Sequence, residues 1–288
     1  MPKLYDCFLL ARSMREDIPV PDYIDFYIDN CSDSSLFSLG YFGKIYLDHR
    51  HQEILFVHRS TTINGQTQPH ENSSIVATSN ILSDMSIYFQ RLPQESLLAL
   101  RFVEKHYREL IKNYPTYSCA HIGHSLGGFH AHYCGYSFRQ RVVAIDSPGA
   151  REVIKQQFSV LDVAQCQTHI TICLQRNLIN ETNQHVGRLA FRSYDERWSG
   201  IPSISESSDT LRTHSLKLFM EHIPEDAADP NDELPVGFFW YQPKVSMKHS
   251  VLYANSSKHE SSISSSERES KLSSKATAND NSSKCFIL

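Results

Sequence analysis

A run of apolar residues ends in the pentapeptide Gly123-His124-Ser125-Leu126-Gly127 and passes without a linker into a helix-like segment, "SCAHIGHSLGGFHAHYC" at 118–134. No other feature restricts the fold as much. A serine in so tight a strand-to-helix turn needs flanking residues without side chains, and such turns form at the carboxyl edge of a parallel sheet. Gly127, Ala131 and Gly135 recur every four residues, which gives the helix a smooth face for close approach to that sheet. Ser125 is therefore the expected nucleophile. The backbone N–H of Leu126, just after it, is the expected first oxyanion donor.

The flanking segments agree with that placement. Residues 41–60 read as two strands joined by a polar turn around Asp48–His51. Leu100, Val103, Tyr107, Leu110, Ile111 and Tyr114 recur at three- and four-residue steps, predicting an amphipathic helix that Pro115 ends. Short apolar strands follow at 117–122, 141–146 ("RVVAID") and 168–174 ("THITICL"), with a helix to about Arg139 between the first two. Strands alternating with helices predict an α/β fold with a mostly parallel sheet and helices on both faces. Functional groups in such folds gather at the carboxyl ends of the strands, where both Ser125 and Asp146 fall.

Composition narrows the function classes. With 288 residues, 40% of them apolar, the chain can bury one large core. Lys and Arg number 28 against 32 Asp and Glu, which leaves no basic field for nucleic acid. The apolar patch Phe8–Ala11 is too short for a signal peptide or a membrane span, and no later window reaches the length of a span. Seven cysteines (7, 31, 119, 134, 166, 173, 285) in irregular spacing, with no C-x-x-C pair, point to buried thiols in a reducing compartment.

The Gly-His-Ser-Leu-Gly-Gly motif after a short strand, with "FVHRST" upstream, resembles the class 3 (fungal-type) lipases of the α/β-hydrolase fold, over about residues 35–225. That resemblance implies an acyl-enzyme hydrolase of lipid esters that needs neither cofactor nor metal. It gives the second oxyanion donor to Thr61, although Ser60 stands where the family has glycine. α/β-Hydrolases run in the order nucleophile, acid, then histidine on a late loop before a helix. His214 fits that position, ahead of Leu216, Phe219 and Met220 at helical spacing, and His185 is the competitor. His124, His130 and His132 read as scaffold histidines.

The acid is less direct. Where class 3 lipases carry it, after "THITICL", this chain reads "QRNLINETNQ": Asn177 and Asn180 can hold a histidine tautomer without supplying charge, and Glu181 is the nearby carboxylate. Asp146, at the end of "RVVAID" and followed by "SPG", resembles the acid position of pancreatic-type lipases and is the expected third member. Asp209 and Glu181 are alternatives, and the plain alternative for Asp146 itself is a helix cap.

After the expected domain (1–253), residues 254–284 are Ser-rich and lack Phe, Trp and Tyr, as a disordered linker would. The terminal "CFIL" (285–288) matches a C-a-a-X prenylation motif at Cys285. The expected partners are then a lipid or acyl-ester substrate, a prenyltransferase and a membrane surface. The expected place is the cytosolic face of a eukaryotic membrane, whether the chain is made in that cell or delivered by a bacterium. Two other functions share these residues: a protein deacylase or thioesterase, and an inactive α/β-hydrolase serving as a tethered binding module.

Overall fold

The computed structural model describes residues 2–29, 41–60, 84, 86–177, 179–192, 214–230, 233–235 and 238–241. Thr61, Asp209, Cys285 and the expected linker lie outside them. The chain divides into two units, Met1–Tyr241 and Gln242–Leu288, and all of the described residues belong to the first.

The strands of that unit form one sheet whose spatial order follows the sequence: β1 (Ile24–Asp29), β2 (Gly43–Asp48), β3 (Glu53–His58), β4 (Ser118–His124), β5 (Arg141–Ile145), β6 (His169–Cys173), β7 (Arg188–Phe191) and β8 (Phe239–Trp240). β3 to β7 run parallel, and antiparallel pairs close both sides, β1–β2–β3 at one and β7–β8 at the other. This is the mostly parallel α/β architecture, with helices on both faces, that the sequence predicts. Helices among the described residues include α1 (Leu4–Ser13), α2 (Gln94–Asn113), α3 (Leu126–Phe138), α4 (Arg151–Phe158), α5 (Val163–Cys166) and α6 (Leu216–Met220).

Helix placement follows from the strand order. Crossovers between parallel strands are right-handed, so a sheet that grows in one direction puts successive crossover helices on one face. Accordingly, Ile54 and Phe56 of β3 pack with Leu98, Phe102 and Val103 of α2, and α4 packs on α3 through Val153, Ile154, Phe129 and Tyr133. The alternate residues, Leu55 and Val57 with Val143, Ile145, Ile170 and Ile172, face the other side. There α1 and α6 cover them, with the rings of Phe8 and Phe219 at 5.3 Å. Phe8 is fully inaccessible, and burying a side chain of that size contributes roughly 2 kcal/mol. The sequence reading took Phe8–Ala11 only as a patch too short for a membrane. It is the buried side of a helix that seals the second face.

Four histidines are interred between α3 and the sheet. Tyr41 Oη lies 2.9 Å from His58 Nδ1, His58 Nε2 lies 3.0 Å from His121 Nδ1, and His121 Nε2 lies 2.6 Å from Gln140 Oε1. Gln140 Oε1 can only accept, which sets the donors in one direction from Tyr41 to Gln140 with both rings neutral. His132 Nδ1 and His169 Nδ1 are 3.1 Å apart, and His132 Nε2 meets Thr171 Oγ1 at 2.9 Å. Burial holds His58 and His132 well below the usual imidazole range, His121 at about 4 and His169 at about 3.

The unfolded chain takes up protons on these rings near pH 6.5, and the folded chain refuses them until lower pH. Their contribution is therefore complete above about pH 6.5 and is lost as pH falls through the folded values. Thermal unfolding scans should show Tm falling steadily below pH 6.5, with each ring adding up to about 1.4 kcal/mol per pH unit to the slope. A Tm that is flat from pH 7 to pH 5 would contradict the neutral, buried arrangement.

Candidate active site

Ser125 stands between β4 and α3 with φ 56° and ψ −127°, a region that residues with side chains rarely occupy. Backbone hydrogen bonds hold it there. Its N–H donates to the Ile145 carbonyl at 2.9 Å, and its own carbonyl accepts from Gly128 N at 2.9 Å and Phe129 N at 3.2 Å. The two glycines of the motif are required by close approach: a Cβ on Gly123 would collide with the Gly127 backbone, and one on Gly127 with the His58 carbonyl at the end of β3. Ser125 is buried, and Leu126 opens α3 with its N–H among the first-turn donors that no helical carbonyl satisfies.

Asp146 follows β5 at the same edge of the sheet, with φ 44°, and its N–H donates to the Ile172 carbonyl at 2.9 Å. The side chain is wholly inaccessible, and three side-chain donors meet it. Asn177 Nδ2 donates to Oδ2 at 2.8 Å, Asn180 Nδ2 donates to Oδ1 at 2.6 Å, and His214 Nδ1 lies 2.6 Å from Oδ2. Asp146 is therefore no helix cap; the N-cap of α4 is Ala150. The asparagines depart from the sequence reading, which had them facing a histidine. They face the carboxylate instead, because β6 ends beside β5 and its following turn lies against Asp146.

His214 precedes Ser215, the N-cap of α6. With Nδ1–H directed at Asp146, the other ring nitrogen, Nε2, is left as an acceptor. Ser125 Oγ makes no hydrogen bond among the described residues, and its side chain does not cap α3. His124 supplies the link between the two segments. Its Nε2–H donates to the His214 carbonyl at 2.8 Å, and the two rings lie 4.4 Å apart at 32°. Burial, with His214 and Arg15 nearby, keeps His124 well below its usual pKa, so it is a neutral donor. Sequence reasoning set it aside with His130 and His132 because a side chain next to the nucleophile points away from it. Its partner is 90 residues further along the chain, and local geometry gave no sign of that.

The remaining candidates separate from this cluster. His185 Nε2 meets the Asn180 carbonyl at 2.6 Å, and Glu181 is engaged by Arg176. His130 is held by Ser96 and lies 3.7 Å from Glu95. Ser60 is buried and accepts from Arg15, while its neighbour Thr61 lies outside the described residues. Among the described residues no three His, Cys, Asp or Glu side chains converge as a metal site.

No family model matches the chain. An uncharacterized protein of Rickettsia prowazekii (strain Madrid E) is 29% identical over 127 residues, 38% of this chain; the chain spans about a third (34%) of that relative's length. Among solved structures, the Lip2 lipase of Yarrowia lipolytica aligns with 73% of this chain and 90% of its own at 15% identity and a TM-score of 0.46. A fungal lipase–inhibitor complex aligns with 64% and 77% at 13% identity and 0.46, and lipase II of Rhizopus niveus with 73% and 83% at 14% and 0.41. The fold itself rests on the strand order and crossovers described above.

Replacing His124 by Phe keeps a ring against His214 and removes the donor to its carbonyl. Losing one buried hydrogen bond costs about 1 kcal/mol or somewhat more. Amide exchange over residues 214–220 should then quicken by about tenfold while the β3–β6 amides stay protected. Equal exchange in both proteins would show that His124 does not hold this segment.

Proposed function

We propose that this chain is a serine hydrolase that cleaves carboxylic esters of lipids through an acyl-enzyme intermediate. The observation that carries the reading is the 2.6 Å contact between Asp146 and His214 Nδ1, with the His214 ring 4.4 Å from that of His124, the residue that precedes the strained Ser125 turn. Ser125 Oγ attacks the ester carbonyl and gives its proton to His214 Nε2. Asp146 keeps Nδ1 protonated and stabilises the imidazolium, and the Leu126 N–H with Thr61 receives the oxyanion. His214 then returns the proton to the leaving alcohol and later activates water in the same way.

A lipid acyl group suits the surroundings. Leu126 belongs to an apolar cluster with Ile87, Phe129 and Tyr133, and Tyr88 and Phe89, next to Ile87, are 66% and 62% exposed. Large aromatic side chains left in solvent beside a candidate site favour an apolar substrate. The expected prenyl group on Cys285 belongs to this reading as a route to a lipid surface, and a prenyl mass increment that disappears in Cys285→Ser is its test.

Turnover should be measured with p-nitrophenyl butyrate, with dioleoylglycerol and phosphatidylcholine vesicles, and with an acyl thioester. Ser125→Ala and His214→Ala should abolish ester turnover, and Asp146→Asn should lower kcat by about 10³–10⁴-fold. Ester turnover that survives Ser125→Ala would overturn the proposal, and a thioester preferred over every lipid ester would move the substrate class to protein or carrier thioesters.

A further inference from the structure

Asp146 receives two neutral amide donors in addition to the histidine, and their orientation is fixed by the chain itself. Asn177 Oδ1 accepts the backbone N–H groups of Ile179 and Asn180, each at 3.0 Å, and Asn180 Oδ1 accepts that of Asn177 at 3.0 Å. Asn180 Nδ2 also donates to the Gln175 carbonyl at 2.8 Å. Turning either amide over would set its NH₂ against an N–H and its oxygen against a carboxylate, so both NH₂ groups must point at Asp146. The turn thus presents two donors, one to each carboxylate oxygen.

We infer that Asn177 and Asn180 are positioning residues that set the basicity of His214 by acting through Asp146. The inference rests on the hydrolase reading above. A hydrogen bond to a carboxylate stabilises its charge and leaves less of that charge for the next donor. An amide brings this about without adding a charge beside the imidazole. The imidazolium formed during attack is then met by a carboxylate whose charge is already shared with two amides. Arg or Lys in the same place would cancel the negative charge, and an apolar side chain would let the histidine take the whole of it.

The other groups facing the pair are few. The Cys173 thiol approaches Asp146 from β6, and burial and the carboxylate together hold its proton on. His185, kept neutral by burial, and Glu181, bound by Arg176, stand on the turn after β6. His124 faces His214 from β4, with Arg15 of the segment after α1 near it. Asn177 and Asn180 are the neutral amides that donate to the carboxylate among the described residues.

The test is the pH dependence of kcat/KM on p-nitrophenyl butyrate for the full chain, in wild type, Asn177→Leu and Asn180→Leu, with Asn183→Leu as a control. Asn183 lies in the same loop and donates to the Ile87 carbonyl rather than to Asp146. Each of the first two should raise the midpoint of the acidic limb by about half to one pH unit and lower kcat, with KM unchanged, because the unshared carboxylate makes His214 harder to deprotonate. The control should leave the limb in place. The same midpoints read from the His214 ring protons by NMR titration need no turnover. They therefore still report on the asparagines if ester hydrolysis proves independent of Ser125, an outcome that would remove the hydrolase reading alone. Lower kcat with an unmoved limb and an unmoved NMR midpoint in both variants would reduce the asparagines to a structural turn and overturn the inference.

Discussion

The arrangement at the sheet edge depends on the contact between a buried carboxylate and an imidazole. Asp146 has no access to solvent, and an ionised carboxylate in that position costs several kcal/mol unless hydrogen bonds replace its water. Those bonds come from separate parts of the chain: Asn177 and Asn180 from the turn after β6, and His214 from the segment before α6. The pair β5–β6 must therefore be in register, and α6 must be seated, before the charge is tolerated. α6 is seated by α1 through the Phe8–Phe219 contact, so a helix at the start of the chain, on the face away from α3, helps to hold the histidine.

The same edge holds the serine by a different means. The Ser125 turn is strained at φ 56°, and it persists because its backbone groups are bonded to β5 and α3 on either side. One strand-to-strand step thus positions two members of the proposed triad: the Ile145 carbonyl fixes Ser125, and the next residue is Asp146. His124 completes the geometry from the other side of the serine, as a neutral donor to the backbone of the segment that carries His214.

Much of this was legible in the sequence, for physical reasons that differ from residue to residue. The strand–turn–helix at Ser125 announces itself because only glycine permits the close contacts on both sides. α2, twenty residues long, was readable from the three- and four-residue steps between Leu100 and Tyr114, whereas α1, half as long, showed only its apolar side. β1 was missed because its edge position leaves Phe26 exposed and places aspartates among its apolar residues. His214 was named as the partner of Asp146, but the asparagines were set against the histidine, since nothing local says that the turn after β6 closes on β5. Two asparagines three apart at the end of a buried strand were the available signal: such a pair satisfies its own backbone and has two NH₂ groups to spare.

Covalent capture is the most direct test of the chemistry assigned to this edge. The full-length protein, treated with a fluorophosphonate probe and digested with trypsin, should yield one modified peptide, 113–139, with the adduct on Ser125. The rate of modification should fall by about 10³-fold or more in Asp146→Asn with the fold intact. An adduct on another residue, or modification at the wild-type rate in Asp146→Asn, would contradict the proposed partnership of Ser125, His214 and Asp146.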